Sequence, residues 1–273
     1  MALILVRGVG DVGSAVAYTL FKAGHTVVMH DIPMPSHPRR GMAFADALYR
    51  GTAELEGAFA KYARTLDDLG TMVKCGRAIP VIDIELQHAL SALQPDVLVD
   101  ARMRKHRQPE SQRGLAPLTV GLGPNFVAGA TTDIVVETAW GNHIGEVIKV
   151  GRASDLAGEP REIEGHARTR FVYSPVSGTF RTALNVGATV VAGEEVGRIG
   201  DTPLYAPLSG CLRGVAQDGA SVEIKAKIIE VDPRGSDTVV RGIGERPRKI
   251  ADGVLKAVRE SAIGPAMQRA TRR

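Results

Sequence analysis

The sequence predicts an α/β domain built on a parallel sheet, followed by a small all-β domain. Three observations predict it. An apolar run, Ala2–Val6, ends in Gly8-Val-Gly-Asp-Val-Gly13 and passes into a helical pattern, the order of strand, glycine turn and helix. Further short apolar runs then alternate with helical segments as far as Glu137. The second half loses the helical period and states one hexapeptide twice, Tyr173-Ser-Pro-Val-Ser-Gly178 and Tyr205-Ala-Pro-Leu-Ser-Gly210, at an offset of 32 residues. The expected division is 1–150 for the α/β domain, 151–235 for the duplicated β module, and 236–273 for a helix and basic tail.

The elements follow in order. Ala2–Val6 is apolar on every side chain, as a parallel strand buried on both faces must be. After the glycines, Val16, Ala17, Leu20 and Phe21 recur at helical spacing, and Gly24 ends the helix. Thr26–Met29 is a second strand, closing at Asp31. This β-α-β order fits a Rossmann-like fold. In such a turn Gly8 allows the bend, Gly10 lets a diphosphate approach the backbone, and Gly13 lets helix and strand pack closely. Asp31 falls 18 residues after Gly13, close to where an acidic side chain meets a ribose hydroxyl. Asp11 lies inside the turn, where it either repels a diphosphate or caps the helix, and Arg7 stands beside it as a candidate counter-charge.

Pro33–Arg40 is a proline-rich loop ending in two arginines. It reads equally as a phosphate clamp, with Arg40 on the ligand, or as a rigid surface loop. Gly41–Tyr49 reads as a helix, Gly76–Asp83 contains a strand, and Glu85–Leu93 is a helix. Pro95–Asp100 is a buried strand that delivers Asp100, Arg102 and Lys105 to its carboxyl end, where open α/β sheets gather ligands. A solvated charge run is the alternative there. Leu118–Phe126 repeats the pattern of strand into glycine loop, and the amides around Gly121, Gly123 and Asn125 suit an anion nest. His143 beside Trp140 has no second histidine at metal spacing, so it reads as a packed loop residue. Cys75, between Lys74 and Arg77, reads as an unreactive thiol more than as a thiolate. Ile250–Ser261 closes the pattern as a helix.

Composition excludes several classes. A net charge of +4 without an RNA-recognition motif, zinc finger or aromatic-basic interleaving argues against nucleic acid. The two cysteines supply neither a disulfide framework nor a metal-ligand spacing. No apolar run nears the ~20 residues of a membrane helix, and no signal peptide precedes the first strand. A cytoplasmic protein is expected.

The duplicated segment resembles the biotinyl/lipoyl-like barrel-sandwich modules through Pro175–Gly178, Pro207–Gly210 and Val190-Val-Ala-Gly193. The fold class expected is therefore α/β, with an N-terminal Rossmann-like parallel sheet followed by a small all-β barrel-sandwich hybrid domain. The carriers of that group present a lysine on the hairpin between the halves. Here Arg198–Thr202 holds none, so the module is expected to be structural or to dock a partner.

Several short motifs in one order extend a resemblance over residues 2–260. They are Val6–Asp11, Asp31-Ile-Pro-Met-Pro35, Val99–Met103, Gly121–Phe126, Val136–Thr138, the duplication and Val231–Arg234. Together they look like the accessory family of the selenium-dependent molybdenum hydroxylase system, the YqeB-type proteins. The chain departs from that pattern in Gly8-Val-Gly-Asp11, where Gly-Gly-Gly-Asp is expected, and in Thr138–His143, which lacks an arginine. The resemblance implies a maturation role for molybdenum hydroxylases of the xanthine dehydrogenase type, with such an enzyme as client partner. The ligand implied is a nucleotide or a molybdopterin-type phosphate, held by Gly8, Gly10, Asp11, Gly13, Asp31, Arg40, Asp100, Arg102, Gly121, Gly123 and Asn125. No metal site and no catalytic residue is assigned. The competing readings are an NAD(P)-dependent oxidoreductase, with His143 or Lys105 as acid, and a non-catalytic interaction protein. A homo-oligomer is expected, and neither nucleic acid nor membrane.

Overall fold

The computed structural model describes residues 1–104, 108–155 and 160–261. Lys105, singled out above, and the basic end of the expected 236–273 segment lie outside them. In chain order the first half begins β1 (Leu3–Arg7), α1 (Asp11–Lys22), β2 (Thr26–His30), α2 (Ala47–Arg50), β3 (Thr52–Leu55), β4 (Ala58–Tyr62) and α3 (Leu66–Cys75). It continues through β5 (Ile79–Ile82), α4 (Leu86–Leu93), β6 (Val97–Asp100), β7 (Leu118–Leu122), β8 (Val127–Ala128), β9 (Ile134–Val136) and β10 (Val147–Ile148). All of these strands except β8 form one sheet, in the order β10-β9-β7-β6-β1-β2-β5-β4-β3. β8 pairs instead with β11 (Gly151–Arg152). From β1 the chain moves to β2 on one side and later returns to β6 on the other. The topological switch point therefore lies between β1 and β6.

Side-chain alternation divides the core. Ile4, Val6, Met29, Val97 and Val99 face α1 and α5 (Glu245–Glu260), whereas Leu5, Val28, Ile82 and Leu98 face Leu69 of α3 and Ala89 and Leu90 of α4. The period of two along each strand makes Arg7, His30 and Asp100 members of the second face. The α3 helix carries a complete capping box, with Thr65 accepting from the Asp68 amide and Asp68 accepting from the Thr65 amide. Gly41–Tyr49 is not the single helix its sequence suggests. It has a 3-10 turn at Arg40–Met42 and only four residues of α2, because Phe44 inserts into the core and its amide donates to Ser14 Oγ at 2.8 Å.

The second half runs β12 (Phe171–Tyr173), β13 (Gly178–Arg181), β14 (Thr189–Val190) and β15 (Glu195–Ile199). Then come β16 (Thr202–Tyr205), β17 (Gly210–Val215), β18 (Ser221–Val222) and β19 (Lys227–Asp232). These make two four-stranded sheets, β12-β19-β17-β14 and β16-β15-β13-β18, around Phe180, Leu212, Ile228 and Ile229. The two hexapeptides lead into β13 and β17, so each copy opens a strand in a different sheet.

The expected fold class is corrected on two counts. The large sheet is mixed rather than parallel: β10 on β9 and β3 on β4 are antiparallel edges. Nor does a small barrel-sandwich domain follow it as a separate C-terminal unit. The loop between β2 and α2 hydrogen-bonds directly into the β-rich half, with Val215 N–H donating to Pro38 O at 2.9 Å and Ser221 N–H to Met34 O at 3.2 Å. After β19 the chain returns, and Ile250, Ala251, Val254 and Ala257 of α5 join the core of the first sheet against α1. The backbone approach there is close: a Cβ on Gly253 would lie 2.1 Å from Gly145 O. Among the described residues no helix is long and apolar enough to cross a membrane, and no group of three or more His, Cys, Asp or Glu side chains could hold a metal ion.

Candidate functional site

Parallel pairing aligns His30, Arg7, Asp100 and Gly121 as one row across the carboxyl ends of β2, β1, β6 and β7. The row spans the switch point. Arg7 and Asp100 are 5% and 1% exposed, so the strands place a guanidinium and a carboxylate side by side at the sheet's rim, almost out of water. Arg7 Nη1 donates to Gln112 Oε1 at 2.6 Å and to Glu110 Oε1 at 3.2 Å, and lies 3.8 Å from Asp100. Arg102 Nε donates to Asp100 Oδ1 at 3.0 Å, while its Nη2 reaches Asp100 Oδ2 and, at 2.6 Å, Glu110 Oε1. Arg104 Nη2 also holds Glu110. Three guanidinium groups thus converge on two carboxylates.

The electrostatics follow from that count. Burial lowers the Arg7 pKa, and the Arg102 charge lowers it further, against the pull of Asp100 and Glu110. Burial alone would raise the Glu110 pKa, but hydrogen bonds from Arg102 and Arg104 reverse this and hold it well below the usual carboxylate range. By formal charge, three guanidinium groups against two carboxylates leave one positive charge in surplus. Arg7 Nε, although buried, has no hydrogen-bond partner among the described residues. An unmet buried donor costs about 1–3 kcal/mol, so a group that satisfies it gains by entering.

The glycine turn does something else. Asp31 accepts from Val9 N–H at 2.8 Å and from Ile32 N–H at 2.8 Å, so its carboxylate clamps the turn. Asp11 N–H donates to His37 Nε2 at 3.0 Å, and Val12 N–H to Asp11 Oδ1 at 3.0 Å. The His37 ring occupies the space beside Gly10, 2.9 Å from where a Cβ would sit. The amides at the start of α1 that would have met a diphosphate are thus satisfied within the chain. Arg39 completes the seal, donating to Asp11 at 3.1 Å and forking onto Glu230 at 2.7 and 2.9 Å. Gly8, at φ +109°, permits the close approach of the Ala101 backbone, and Gly13 that of Gly8 O.

The other expected ligands scatter. Arg40 is 5% exposed and bonds Val215 O, Asp46 and Asn185, where it ties the two halves together. Gly121 makes room for the Phe126 ring, and Gly123 for Thr138 Oγ1. Asn125, at φ +75°, offers its carbonyl to Gln108 at 3.0 Å. Asp100 and Arg102 alone are drawn together with Gly8 into the crevice. His143 pairs with Glu146 at 2.7 Å on the surface, and Cys75 is exposed while Cys211 is buried. Arg104, Glu110, Gln112 and His30 were missed as site residues, and Arg7, expected as a counter-charge to Asp11, belongs to this cluster instead, Arg39 taking Asp11. The last position of each of these strands carries a polar residue where the apolar run breaks, at Arg7, His30 and Asp100 alike.

Fold and site define an α/β protein with an arginine–carboxylate cluster at the switch point of a nine-stranded sheet. The chain is similar to a protein of Escherichia coli (strain K12) named "Uncharacterized protein YqeB", at 34% identity over 256 residues, which is 94% of this chain. It spans 47% of that relative's length. No protein-family model matches the chain. Among solved structures, the chain is similar to a succinylglutamate desuccinylase/aspartoacylase from Rhodobacter sphaeroides, at 16% identity with 84% of each chain covered and a TM-score of 0.24. It is also similar to the ectoine utilization protein EutE (DoeB) from Ruegeria pomeroyi, at 10% identity, 85% and 86% coverage and a TM-score of 0.25. A succinylglutamate desuccinylase from Silicibacter sp. TM1040 matches at 13% identity, 84% of each chain covered and a TM-score of 0.24. Scores this low assign neither fold nor activity.

The YqeB-type resemblance therefore stands as a relationship between sequences. The expected role in molybdenum hydroxylase maturation is corrected: the relative's printed name assigns no function that could be carried to this chain. The expected Rossmann nucleotide site, with a molybdopterin-type cofactor or NAD(P) on Gly8, Gly10, Asp11, Gly13 and Asp31, is corrected with it. His37, Asp31 and Asp11 fill the seat of the phosphates.

Proposed function

We propose that the protein binds a small anion-bearing molecule, through a phosphate or a carboxylate, in the crevice formed by Arg7, Asp100, Arg102, Arg104 and Glu110. One observation carries the reading: the guanidinium of Arg7, 5% exposed at the end of the central strand, keeps an unpaired Nε within a cluster of three arginines and two carboxylates. Open α/β sheets seat their ligands at this topological position. Asp100 orients Arg102 by accepting from its Nε and Nη2, and Glu110 takes the second Nη2 hydrogen, so the Nη1 amino group is the edge that would meet an oxyanion.

The test is calorimetric titration of the full chain with inorganic phosphate and with a dicarboxylate such as succinate. Binding of at least one is expected. Arg102→Ala should weaken it by about tenfold to a hundredfold, the size of one or two charge-assisted hydrogen bonds. Arg113→Ala is the control, because Arg113 pairs with Asp133 at 3.0 Å outside the crevice. If both probes fail to bind, or bind equally well to Arg102→Ala and to Arg113→Ala, the reading falls.

A further inference from the structure

His30 and Arg7 are in-register neighbours on β2 and β1, and their side chains lie on the same face of the sheet. Each is nine-tenths buried or more, at 9% and 5% exposed. His30 Nε2 lies 2.9 Å from Ile84 O. A carbonyl only accepts, so Nε2 carries the proton and Nδ1 presents a lone pair. That Nδ1 is buried without a partner, and so is the Nε–H of Arg7. The carboxyl end of β1 and β2 therefore holds one unmet acceptor and one unmet donor on neighbouring residues. Two buried polar groups left unmet oppose folding, and such pairs in native proteins call for a functional account. Burial, with the Arg7 and Arg102 charges behind it, lowers the His30 pKa, although the bond to Ile84 O and the Asp31 charge act the other way. The imidazole is thereby held neutral, with its lone pair available.

A carboxylate or a fully ionised phosphate oxygen cannot satisfy both atoms, because it carries no proton to give the His30 lone pair. A hydroxyl can, since it accepts from Arg7 Nε–H and donates to His30 Nδ1. We infer that the ligand of this crevice is a hydroxyl-bearing anion, with Arg102 and Arg104 on its charged group and the Arg7–His30 pair on its hydroxyl. The inference rests on the anion reading above and narrows it from any small anion to a hydroxy acid or an alcohol phosphate. A site built to bond a hydroxyl rejects the analogue that lacks it, because its own polar groups are then left unpaired.

The experiment compares two pairs of probes on the full chain: lactate with propionate, and glycerol 3-phosphate with propyl phosphate. Affinities are measured by calorimetry, and the His30 ring nitrogens are followed by NMR. The hydroxylated member of at least one pair is expected to bind about tenfold tighter or more, and to move the Nδ1 resonance while its partner does not. Which pair responds tells carboxylate from phosphate. In His30→Leu, which removes the acceptor, the hydroxyl preference should fall towards unity while the deoxy probe keeps its affinity. Equal affinity within both pairs, or an Nδ1 resonance that neither hydroxylated probe moves, overturns the inference and leaves the anion reading standing. Failure of all four probes to bind overturns both. Should His30→Leu fail to fold, the wild-type affinities and Nδ1 shifts decide alone.

Discussion

Replacing Glu230 by alanine is expected to destabilise the protein by about 3–5 kcal/mol, the cost of removing one partner from a buried ion pair. Glu230 is fully buried on β19, and it holds Arg39 by a two-point fork and Arg170 by a short contact. Arg213 stands 3.8 Å away. Without the carboxylate these guanidinium groups face one another at the junction of the two halves. The same residue predicts acid lability. Burial would raise its pKa, but Arg39, Lys227 and Arg170 outweigh that and hold it at about 2 against an ordinary 4.5. As pH falls, the unfolded chain takes up this proton first. The contribution is therefore complete above pH 4.5 and is lost between there and about 2. It amounts to something on the order of 3 kcal/mol. Urea unfolding at pH 7 and pH 3 checks both statements. A loss under about 1 kcal/mol in Glu230→Ala at pH 7 would show that the network is not a stabilising junction.

The second large effect is expected at Gly13. A Cβ there would lie 2.0 Å from Gly8 O, a backbone atom pinned by the bond from Gly8 N–H to His30 O at 2.8 Å. Neither side can yield without moving β1 away from α1, so Gly13→Ala should cost about 3 kcal/mol or more, at the upper end of overpacking. At Gly10 the nearest atom is the end of the His37 ring, 2.9 Å away, and a side chain can rotate where a carbonyl cannot. Gly10→Ala should accordingly lose only about 1 kcal/mol. Thermal unfolding separates the two, since each kcal/mol moves the midpoint of a chain this size by roughly 2–4 °C. Equal losses at the two positions would contradict the packing role assigned to Gly13.

The strands β1, β2, β5 and β6 were legible because burial on both faces leaves apolar runs, as in Leu3–Val6 and Val97–Val99. The helices α1 and α4 were legible from spacing and caps. The antiparallel edges were not: β3 and β10 depend on where the chain turns back, and local pattern does not encode that. The junction was hidden for a different reason. Arg39 and Arg40 look alike in sequence, yet one meets Glu230 and the other Asp46, Val215 and Asn185. Those partners are set by how the halves dock. The glycine turn misled because Gly-x-Gly-x-x-Gly reports backbone geometry, while His37, 24 residues beyond Gly13, decides whether a phosphate fits beside it. In the crevice, Asp100 and Arg102 were readable at a strand end, whereas Glu110 and Gln112 arrive through a loop whose path carries no periodic signal.

The return of α5 to the first sheet orders events during synthesis. Ile250, Val254, Ala257 and Val258 shield the same core as Ile4, Val6 and Val16, yet they leave the ribosome after both four-stranded sheets have been made. Until then one flank of α1 and the strands beneath it has no cover. Such distant closure delays the last step of folding, because contacts far apart in sequence must wait for the chain between them. A nascent chain halted before residue 245 would therefore present a sticky apolar face to chaperones, and release of α5 would be the signal that withdraws it.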